Sequence, residues 1–233
     1  MKIIITRPLK DATPLAGKLK SMGHEVVVAP LLEIVARAAV TFPKRKYQAI
    51  CLTSANGVRV LKNIGGLKSI PVFAVGPQSM QVAIERGFLH VQAKGGDVVR
   101  LAAHIAATLK PDQGPILYIS GSETSGDLEG KLRSVGFDVD RVITYDAKPA
   151  SLLGFEAAIE SSNAVLLYSP RSAKLWVLAV ENLQLQTVNF TPVHICLSQT
   201  IAAYLPENWQ KRIAESPTEA ALIAALDCKA KAE

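Results

Sequence analysis

The sequence repeats itself, and this repeat limits the folds that the chain can adopt. The segment Leu15–Leu19, followed by Gly23, resembles Leu128–Leu132, followed by Gly136, at an offset of 113 residues. Two further pairs of segments resemble each other at offsets of 115 and 121 residues: Ala49–Asn56 with Ala164–Arg171, and Pro71–Ser79 with Pro192–Thr200. Copies of roughly a hundred residues have the size of domains rather than of solenoid repeats. The sequence therefore predicts two related units.

Short apolar strands alternate with helices through both copies. Lys2–Thr6 predicts a strand, the next helix should start with Thr13 as its N-cap and Pro14 at its first position, and Glu25–Ala29 predicts the following strand. Such alternation is typical of parallel sheets that are covered by helices on both faces. We therefore expect an α/β fold of two similar doubly wound parallel-sheet domains.

Composition limits the compartment and the partners. At 233 residues and 49% hydrophobic content, the chain can form substantial cores. It shows neither a leader peptide nor an apolar run near the ~20 residues of a transmembrane helix, so we expect a cytoplasmic protein that does not contact membranes. The net charge is +6, but the basic residues are scattered, and Lys44–Lys46 is the only tight cluster. Nucleic-acid binding is not indicated, whereas the positive charge suits a small acidic ligand.

Function is expected at the strand-to-helix turns, because ligands bind beyond the carboxyl ends of the strands in doubly wound sheets. Every such turn carries a hydroxyl group. The turns are Thr6–Pro8, Ser54–Asn56, Gly76–Ser79, Ser120–Ser122, Ser169–Ser172 and Ser198–Thr200. Each hydroxyl alone is most simply explained as a helix cap. Two copies of such turns are more than capping requires, and helix N-termini also hold carboxylates and phosphates.

Motifs for several other chemistries are missing. Gly121 and Gly126 have the spacing of a phosphate-binding loop, but Asp127 and Leu128 stand where that loop needs lysine and a hydroxyl residue. No glycine pattern for a nicotinamide cofactor follows the first strand, and the four histidines and three cysteines lack metal-ligand spacing. We therefore expect an anion-binding site without a cofactor or a metal ion.

Six short motifs occur in an order and spacing that point to one family. They are Ile5–Pro8, Pro30–Leu32, Leu52–Val58, Ala74–Gly76, Thr144-Tyr145 and Tyr168–Pro170. Together they resemble uroporphyrinogen-III synthases from Met1 to about Leu205. The resemblance implies a discontinuous domain 1 formed by residues 1–30 and 151–233, with residues 43–140 inserted as domain 2. Residues 31–42 and 141–150 would be a two-stranded linker, which fits the lack of a clear helix pattern from Pro30 to Val40.

The resemblance also implies an activity. The family's reaction closes the linear tetrapyrrole hydroxymethylbilane to uroporphyrinogen III, with loss of water and inversion of ring D through a spiro intermediate. The chain would then be a cyclising hydro-lyase of porphyrin and heme biosynthesis that uses no cofactor. It would act as a monomer and receive its substrate from hydroxymethylbilane synthase. The acetate and propionate carboxylates of this substrate would suit the hydroxyl-rich turns and the positive charge of the chain.

The resemblance assigns roles residue by residue. Tyr145 matches the family's catalytic tyrosine, and an ordinary phenol with a pKa of about 10 can donate a proton to a leaving hydroxyl. The expected substrate-binding residues are Thr6, Arg7, Ser54, Asn56, Ser79, Ser169, Arg171 and Thr200. Arg7 and Arg171 could instead form structural ion pairs. Tyr168 stands where the family commonly has phenylalanine, and we interpret it as a core residue rather than a second catalytic phenol.

The turn from Ser122 to Asp127 departs from the family pattern, and Asp127 is unfavourable for a carboxylate ligand, which argues against direct substrate contacts from this turn. No strong catalytic constellation is visible in the sequence, and this keeps another function open. The chain could therefore be a non-catalytic, two-lobed protein that binds or senses a small acidic ligand such as a tetrapyrrole.

Overall fold

The computed structural model describes residues 1–94, 96–185 and 191–227, and its contacts divide the chain into two units. Unit 1 consists of Met1–Glu33 and Lys148–Glu233, and unit 2 consists of Ile34–Ala147. The chain therefore leaves unit 1 once and returns to it once.

In chain order, the strands and helices are β1 (Lys2–Ile5), α1 (Leu9–Ser21), β2 (Glu25–Val28), β3 (Leu32–Ala36), β4 (Ala49–Leu52), α2 (Ala55–Arg59), β5 (Val72–Ala74), α3 (Pro77–Glu85), β6 (Val91–Ala93), α4 (Val98–Thr108), β7 (Ile116–Gly121), α5 (Leu128–Ser134), β8 (Val139–Pro149), α6 (Glu156–Glu160), β9 (Ala164–Leu167), α7 (Pro170–Asn182), β10 (Val193–Cys196), α8 (Gln199–Ala202), β11 (Lys211–Ile213) and α9 (Glu219–Asp227). Short 3₁₀ turns at Gly65–Leu67 and Pro111–Gln113 complete the described elements.

The two sheets have the same internal order. The first sheet runs β11-β10-β9-β1-β2, and the second runs β6-β5-β4-β7-β8 with β3 added at the edge beside β8. The strand pairs β1–β2, β1–β9, β9–β10, β10–β11, β4–β5, β4–β7, β5–β6 and β7–β8 are all parallel. The predicted α/β class with two doubly wound parallel sheets is confirmed.

The sequence repeat extends to the register of the sheets. Ile3 lies opposite Val26 and Ala164, while Ile116 lies opposite Val139 and Ala49. These partners are related by the offsets of 113 and 115 residues that the sequence shows. Because β1 belongs to unit 1 and β7 to unit 2, whereas β4 belongs to unit 2 and β9 to unit 1, each sheet combines strands from both sequence copies.

The central strands β1, β4 and β9 are almost entirely apolar because each sheet is buried on both faces. Ile3 and Ile5 pack with α1 and α9 on one face of the first sheet, whereas Ile4 packs with α7 and α8 on the other. In the second sheet, Ile50 and Leu52 pack towards α2, and Ala49 and Cys51 pack towards α4 and α5. Alternate side chains of a strand point to opposite faces, so a doubly covered sheet needs apolar residues at every position.

The first helix starts earlier than the sequence predicted. It begins at Leu9, so Thr13 is not its N-cap and Pro14 lies inside it. A proline inside a helix removes one backbone hydrogen bond. The extra turn buries Ala12 on the same apolar stripe as Leu15 and Leu19, and this packing explains why the helix extends past Pro14.

The segment from Pro30 to Val40 contains β3, at the edge of the second sheet. In unit 2, Arg37 donates its backbone N–H to the Thr144 carbonyl over 2.9 Å. Its guanidinium also forms two hydrogen bonds with the Asp146 carboxylate, of 3.1 and 2.9 Å. The proposed linker role of residues 31–42 and 141–150, and the domain boundaries that go with it, stay predictions.

The described part of the chain contains no helix with the length and apolarity needed to cross a membrane. Cys51 and Cys196 are buried free thiols, and burial raises the pKa of the Cys196 thiol to about 11. The third cysteine, Cys228, lies outside the described residues.

A buried histidine on β10 links stability to pH. His194 is 1% exposed, its ring stacks on Trp209 at 4.6 Å between centroids, and its Nδ1 lies 3.1 Å from the Gln210 carbonyl oxygen. Burial, assisted by the charge of Lys211, lowers the pKa of His194 to about 4, although the contact with Gln210 opposes this shift. The folded protein therefore keeps this ring neutral through mildly acidic pH.

We expect the protein to lose stability as the pH falls from about 6.5 to about 4. The unfolded chain protonates His194 below its ordinary pKa of 6.5, whereas the folded chain does so only near pH 4. The full loss of unfolding free energy is at most about 3 kcal/mol, and urea unfolding should show a loss of about 2 kcal/mol between pH 7 and pH 5. His194→Gln should flatten this dependence, while His90→Gln, at an exposed site, should not. An unchanged pH dependence in His194→Gln would contradict the assignment.

Candidate active site

The structure collects the predicted site residues at the carboxyl ends of the strands in each unit. In unit 2, Ser54 and Asn56 follow β4, Ser79 follows β5, and Tyr145 on β8 lies opposite Gly121 at the end of β7. In unit 1, the residues at these ends are Thr6, Arg7, Ser169, Arg171 and Thr200. Each set therefore lies where doubly wound sheets bind their ligands.

Two of the predicted hydroxyl groups cap helices. Ser54 is the N-cap of α2, and its Oγ accepts a hydrogen bond from the backbone N–H of Asn56 over 3.2 Å. Ser169 is the N-cap of α7 and forms a capping box with Ser172, whose backbone N–H donates to Ser169 Oγ over 3.1 Å. These contacts fit the capping explanation. The remaining N–H groups in the first turn of each helix lie at the same edge, although Pro170, the first residue of α7, has none.

The other predicted polar residues differ in exposure. Asn56 is 8% exposed, and its Oδ1 accepts a hydrogen bond from Arg59 over 3.0 Å. Ser79, in the first turn of α3, is 5% exposed. Its counterpart in the repeat, Thr200, is exposed in the first turn of α8. The two equivalent hydroxyls therefore have unequal access to a ligand.

Thr6 and Arg7 are engaged within unit 1. The Thr6 hydroxyl is buried and donates to the Leu166 carbonyl over 2.6 Å. Arg7 donates to the Glu219 carboxylate over 3.0 Å, and its guanidinium lies 4.1 Å from the centroid of the Tyr168 ring. Arg7 therefore forms the structural ion pair that the sequence left open, while Arg171 is half-buried.

Tyr168 has the surroundings of a core residue. Its ring packs against the cluster that includes Ile3 and Ile5, and its buried hydroxyl has no hydrogen-bond partner among the described residues. Burial raises the pKa of this phenol well above its ordinary value. Such a group is poorly suited to donate a proton near neutral pH.

Tyr145 is held against Gly121 by an irregularity in the sheet. Ser120 lies opposite Ile143, but Gly121 lies opposite Tyr145, so β8 has one extra residue, Thr144, at this point. Thr144 is fully buried, and its hydroxyl donates to the Gly57 carbonyl over 3.0 Å. A Cβ atom on Gly121 would lie 2.6 Å from Cζ and 3.0 Å from Oη of Tyr145. The absence of a side chain at Gly121 therefore makes room for the Tyr145 ring, which is 7% exposed.

Three residues near Tyr145 were missed in the sequence. Tyr118 is 1% exposed, and its hydroxyl lies 2.9 Å from the Thr53 hydroxyl. Burial raises the pKa of Tyr118, while the Thr53 hydrogen bond and the Arg141 charge lower it. Arg141 reaches the end of β7 and lies 5.8 Å from the centroid of the Tyr118 ring. No motif in the sequence marked Arg141, because its contacts depend on the bulge in β8 and on backbone carbonyls.

No group of three or more histidine, cysteine, aspartate or glutamate residues in the described ranges could hold a metal ion. The carboxyl edges carry hydroxyls, backbone N–H groups and guanidinium groups, together with the carboxylates of Glu219 and Asp127. The hydroxyl, N–H and guanidinium groups can bind anions such as carboxylates.

The two units share one strand order, and each has polar strand-to-helix turns at the carboxyl edge of its sheet. These features define a doubly wound α/β protein of two repeated units. The family model described as uroporphyrinogen-III synthase HemD matches residues 13–224. The chain therefore belongs to the uroporphyrinogen-III synthase family.

Solved structures share the fold. The uroporphyrinogen-III synthetase of Helicobacter pylori superposes with a TM-score of 0.65 at 19% identity, and the alignment covers 97% of each chain. A mutant uroporphyrinogen-III synthase of Thermus thermophilus superposes with a TM-score of 0.52 at 13% identity, over 97% of this chain and 96% of that one. At these identities, the similarity establishes the α/β fold.

A shorter sequence match points in the same direction. A Methanocaldococcus jannaschii protein, named provisionally as a uroporphyrinogen-III synthase, is 41% identical over 64 residues. The matched segment spans 28% of this chain and 27% of that protein.

We expect Gly121→Ala to displace the Tyr145 ring and to destabilise the protein. The new methyl group would overlap the ring, and overpacking of this kind typically costs about 1–3 kcal/mol. Chemical denaturation of the variant and of Gly66→Ala measures this loss, since Gly66 has open space at its Cβ position. Combining Gly121→Ala with Tyr145→Ala should recover part of the stability expected from adding the two single losses. Strict additivity would mean that the two residues do not compete for this space.

Proposed function

We propose that this chain is a uroporphyrinogen-III synthase, a cyclising hydro-lyase of porphyrin and heme biosynthesis. Its substrate would be hydroxymethylbilane, and its product would be uroporphyrinogen III with ring D inverted. The family match over residues 13–224 is the observation that carries this proposal. The hydroxyl, N–H and guanidinium groups at the carboxyl edge of each sheet support the proposal, because the substrate carries carboxylates around its rim.

Tyr145 is the proposed general acid. Its proton passes to the substrate hydroxyl as the C–O bond breaks, and water leaves. The neighbouring pyrrole nitrogen donates its electron pair through the ring to the methylene carbon that lost the hydroxyl, which gives an azafulvenium cation. A substituted carbon of ring D then forms a C–C bond to the cation, which yields the spiro intermediate. The bond between the spiro carbon and the bridge to ring C then breaks, and the unsubstituted carbon of ring D bonds to this bridge, which inverts ring D. The proton that this carbon loses returns to the Tyr145 phenolate.

Orientation should contribute as much as acid catalysis, because uncatalysed closure gives the isomer without inversion. A positioned acid contributes roughly 10²–10⁴-fold, whereas well-oriented reacting groups can contribute more. The contact between Tyr145 and Gly121, together with the buried Thr144 in the bulge, would hold the phenol in one place. This rigidity supports a role for Tyr145 in positioned proton transfer.

The substrate-binding residues of this proposal are Thr6, Arg7, Ser54, Asn56, Ser79, Ser169, Arg171 and Thr200. We expect backbone N–H groups of the capped helices α2 and α7 to make much of the contact, since Ser54 and Ser169 use their own hydroxyls for capping. Arg7 would have to exchange Glu219 for a substrate carboxylate. Thr6 would act mainly by fixing its turn, because its hydroxyl is already bonded to Leu166.

The finer parts of the proposal concern organisation. Domain 1 would consist of residues 1–30 and 151–233 and domain 2 of residues 43–140, with residues 31–42 and 141–150 as linker strands. The positions at which the chain changes units, after Glu33 and after Ala147, support this division. The protein would act as a cytoplasmic monomer without a cofactor and would receive its substrate from hydroxymethylbilane synthase.

A coupled assay tests the proposed activity. Hydroxymethylbilane synthase supplies the substrate, the products are oxidised, and the porphyrin isomers are separated by chromatography. We expect the protein to form the inverted isomer, and Tyr145→Phe to slow its formation by about 10²-fold or more, since the positioned acid is lost. The matched control is Tyr168→Phe, which removes a buried hydroxyl without a partner and should leave the rate and the stability almost unchanged.

Each outcome of this assay decides one question. Formation of only the non-inverted isomer, at the spontaneous rate, would exclude the synthase activity and favour a binding or sensing protein. Full activity of Tyr145→Phe, alongside an active wild type, would remove Tyr145 from the acid role and leave the activity in place.

A further inference from the structure

Arg141 occupies a fixed position at the carboxyl end of β7. Its Nε donates to Ser120 Oγ over 2.9 Å, and its Nη2 donates to the carbonyl oxygens of Gly121 and Ser122 over 2.9 and 3.0 Å. Three hydrogen bonds thus fix one edge of the guanidinium. A guanidinium carries five N–H donors in a rigid plane, so fixing one edge also fixes the direction of the other.

The charge of Arg141 has no acidic partner in the described part of the chain. Arg37 pairs with Asp146, and Arg45 pairs with Asp138 and Asp140, but the hydrogen bonds of Arg141 go only to a hydroxyl and to backbone carbonyls. A fully solvated cation needs no partner, but Arg141 is half-buried, so part of its charge has lost its contact with water. Its Nη1, with two N–H groups, makes no hydrogen bond within the described residues.

Arg141 and Tyr145 converge on the same residue. The Gly121 carbonyl accepts from Arg141 Nη2, and the side of Gly121 that lacks a Cβ receives the ring of Tyr145. The turn that joins β7 to α5 ends in a carboxylate, since Asp127 caps α5 by accepting from the Gly130 N–H over 2.8 Å. Arg141 supplies a positive charge at the start of this turn, where it contacts the Ser122 carbonyl.

We propose that Arg141 binds a carboxylate of the substrate through Nη1 and so sets the position of the bilane relative to the Tyr145 phenol. This inference rests on the proposed function. The hydrogen bonds to Ser120, Gly121 and Ser122 preorganise the guanidinium, which lowers the entropy cost of binding. Because the charge is partly desolvated, its bond to a carboxylate is stronger than that of a solvated lysine or arginine.

The test compares Arg141→Gln and Arg141→Lys with the wild type in the coupled assay. We expect Arg141→Gln to raise the KM for hydroxymethylbilane about 10- to 100-fold, the usual effect of losing a charge-assisted hydrogen bond, with a smaller change in kcat. Arg141→Lys keeps the positive charge but loses the planar set of N–H donors, so its KM should lie between those of the wild type and Arg141→Gln. The matched control is Arg86→Gln. Arg86 lies at the end of α3, and its half-buried guanidinium donates to the Leu61 carbonyl.

A second readout does not depend on turnover. Uroporphyrin III retains the carboxylates, and its binding can be followed by porphyrin fluorescence at low and high salt. We expect Arg141→Gln to weaken binding and to reduce its salt dependence, while Arg86→Gln leaves both unchanged. Thermal unfolding of each variant separates a loss of fold from a loss of affinity.

The possible results separate the two proposals. A folded Arg141→Gln variant with the wild-type KM and porphyrin affinity would overturn the role of Arg141 and leave the synthase activity standing. If Arg141→Gln does not fold, a wild-type KM and affinity in Arg141→Lys would overturn it equally. Absence of the inverted isomer from the wild type would overturn the proposed activity instead.

Discussion

The close fit of the Tyr145 ring against Gly121 is the contact on which the site in unit 2 depends. It requires three local features at once: a residue without a side chain at the end of β7, an extra residue in β8, and a buried anchor for that residue. Thr144 provides the anchor through its hydrogen bond to the Gly57 carbonyl. Gly57 has little room for a side chain either, since a Cβ there would lie 3.3 Å from the Ile119 carbonyl oxygen. The lack of a side chain at Gly121 and the hydrogen bond from Thr144 to Gly57 therefore set the direction of the phenol together.

The doubled sequence explains how such an edge arises in two sheets. Register and strand order are the same in both units, so each unit places its strand-to-helix turns at one edge. The copies have diverged where chemistry is proposed. In unit 2 the edge carries Tyr145 and the cation of Arg141, whereas in unit 1 the Arg7 cation is neutralised by Glu219. A repeat thus fixes the framework, and single substitutions at the strand ends give each edge its own charge.

Apolar periodicity predicted most of the fold because both faces of each sheet are buried. It placed β1 well, since the prediction of Lys2–Thr6 rests on Ile3, Ile4 and Ile5, which are fully buried. It missed β11, a short edge strand of mixed polarity, and it started α1 too late because Pro14 is tolerated inside the helix. The hydroxyl-rich turns were visible as motifs. Arg141 was not, because its importance comes from a bulge and from carbonyl contacts that have no sequence pattern.

A crystal structure with uroporphyrin III bound would show whether Tyr145 and Arg141 form one site. We expect a ligand carboxylate within hydrogen-bonding distance of Arg141 Nη1, the Tyr145 hydroxyl in contact with the macrocycle, and Tyr145 still packed on Gly121. We also expect ligand contacts with backbone N–H groups at the start of α2. A ligand bound away from the carboxyl ends of β4 and β7, touching neither Tyr145 nor Arg141, would mean that this edge is not the binding site.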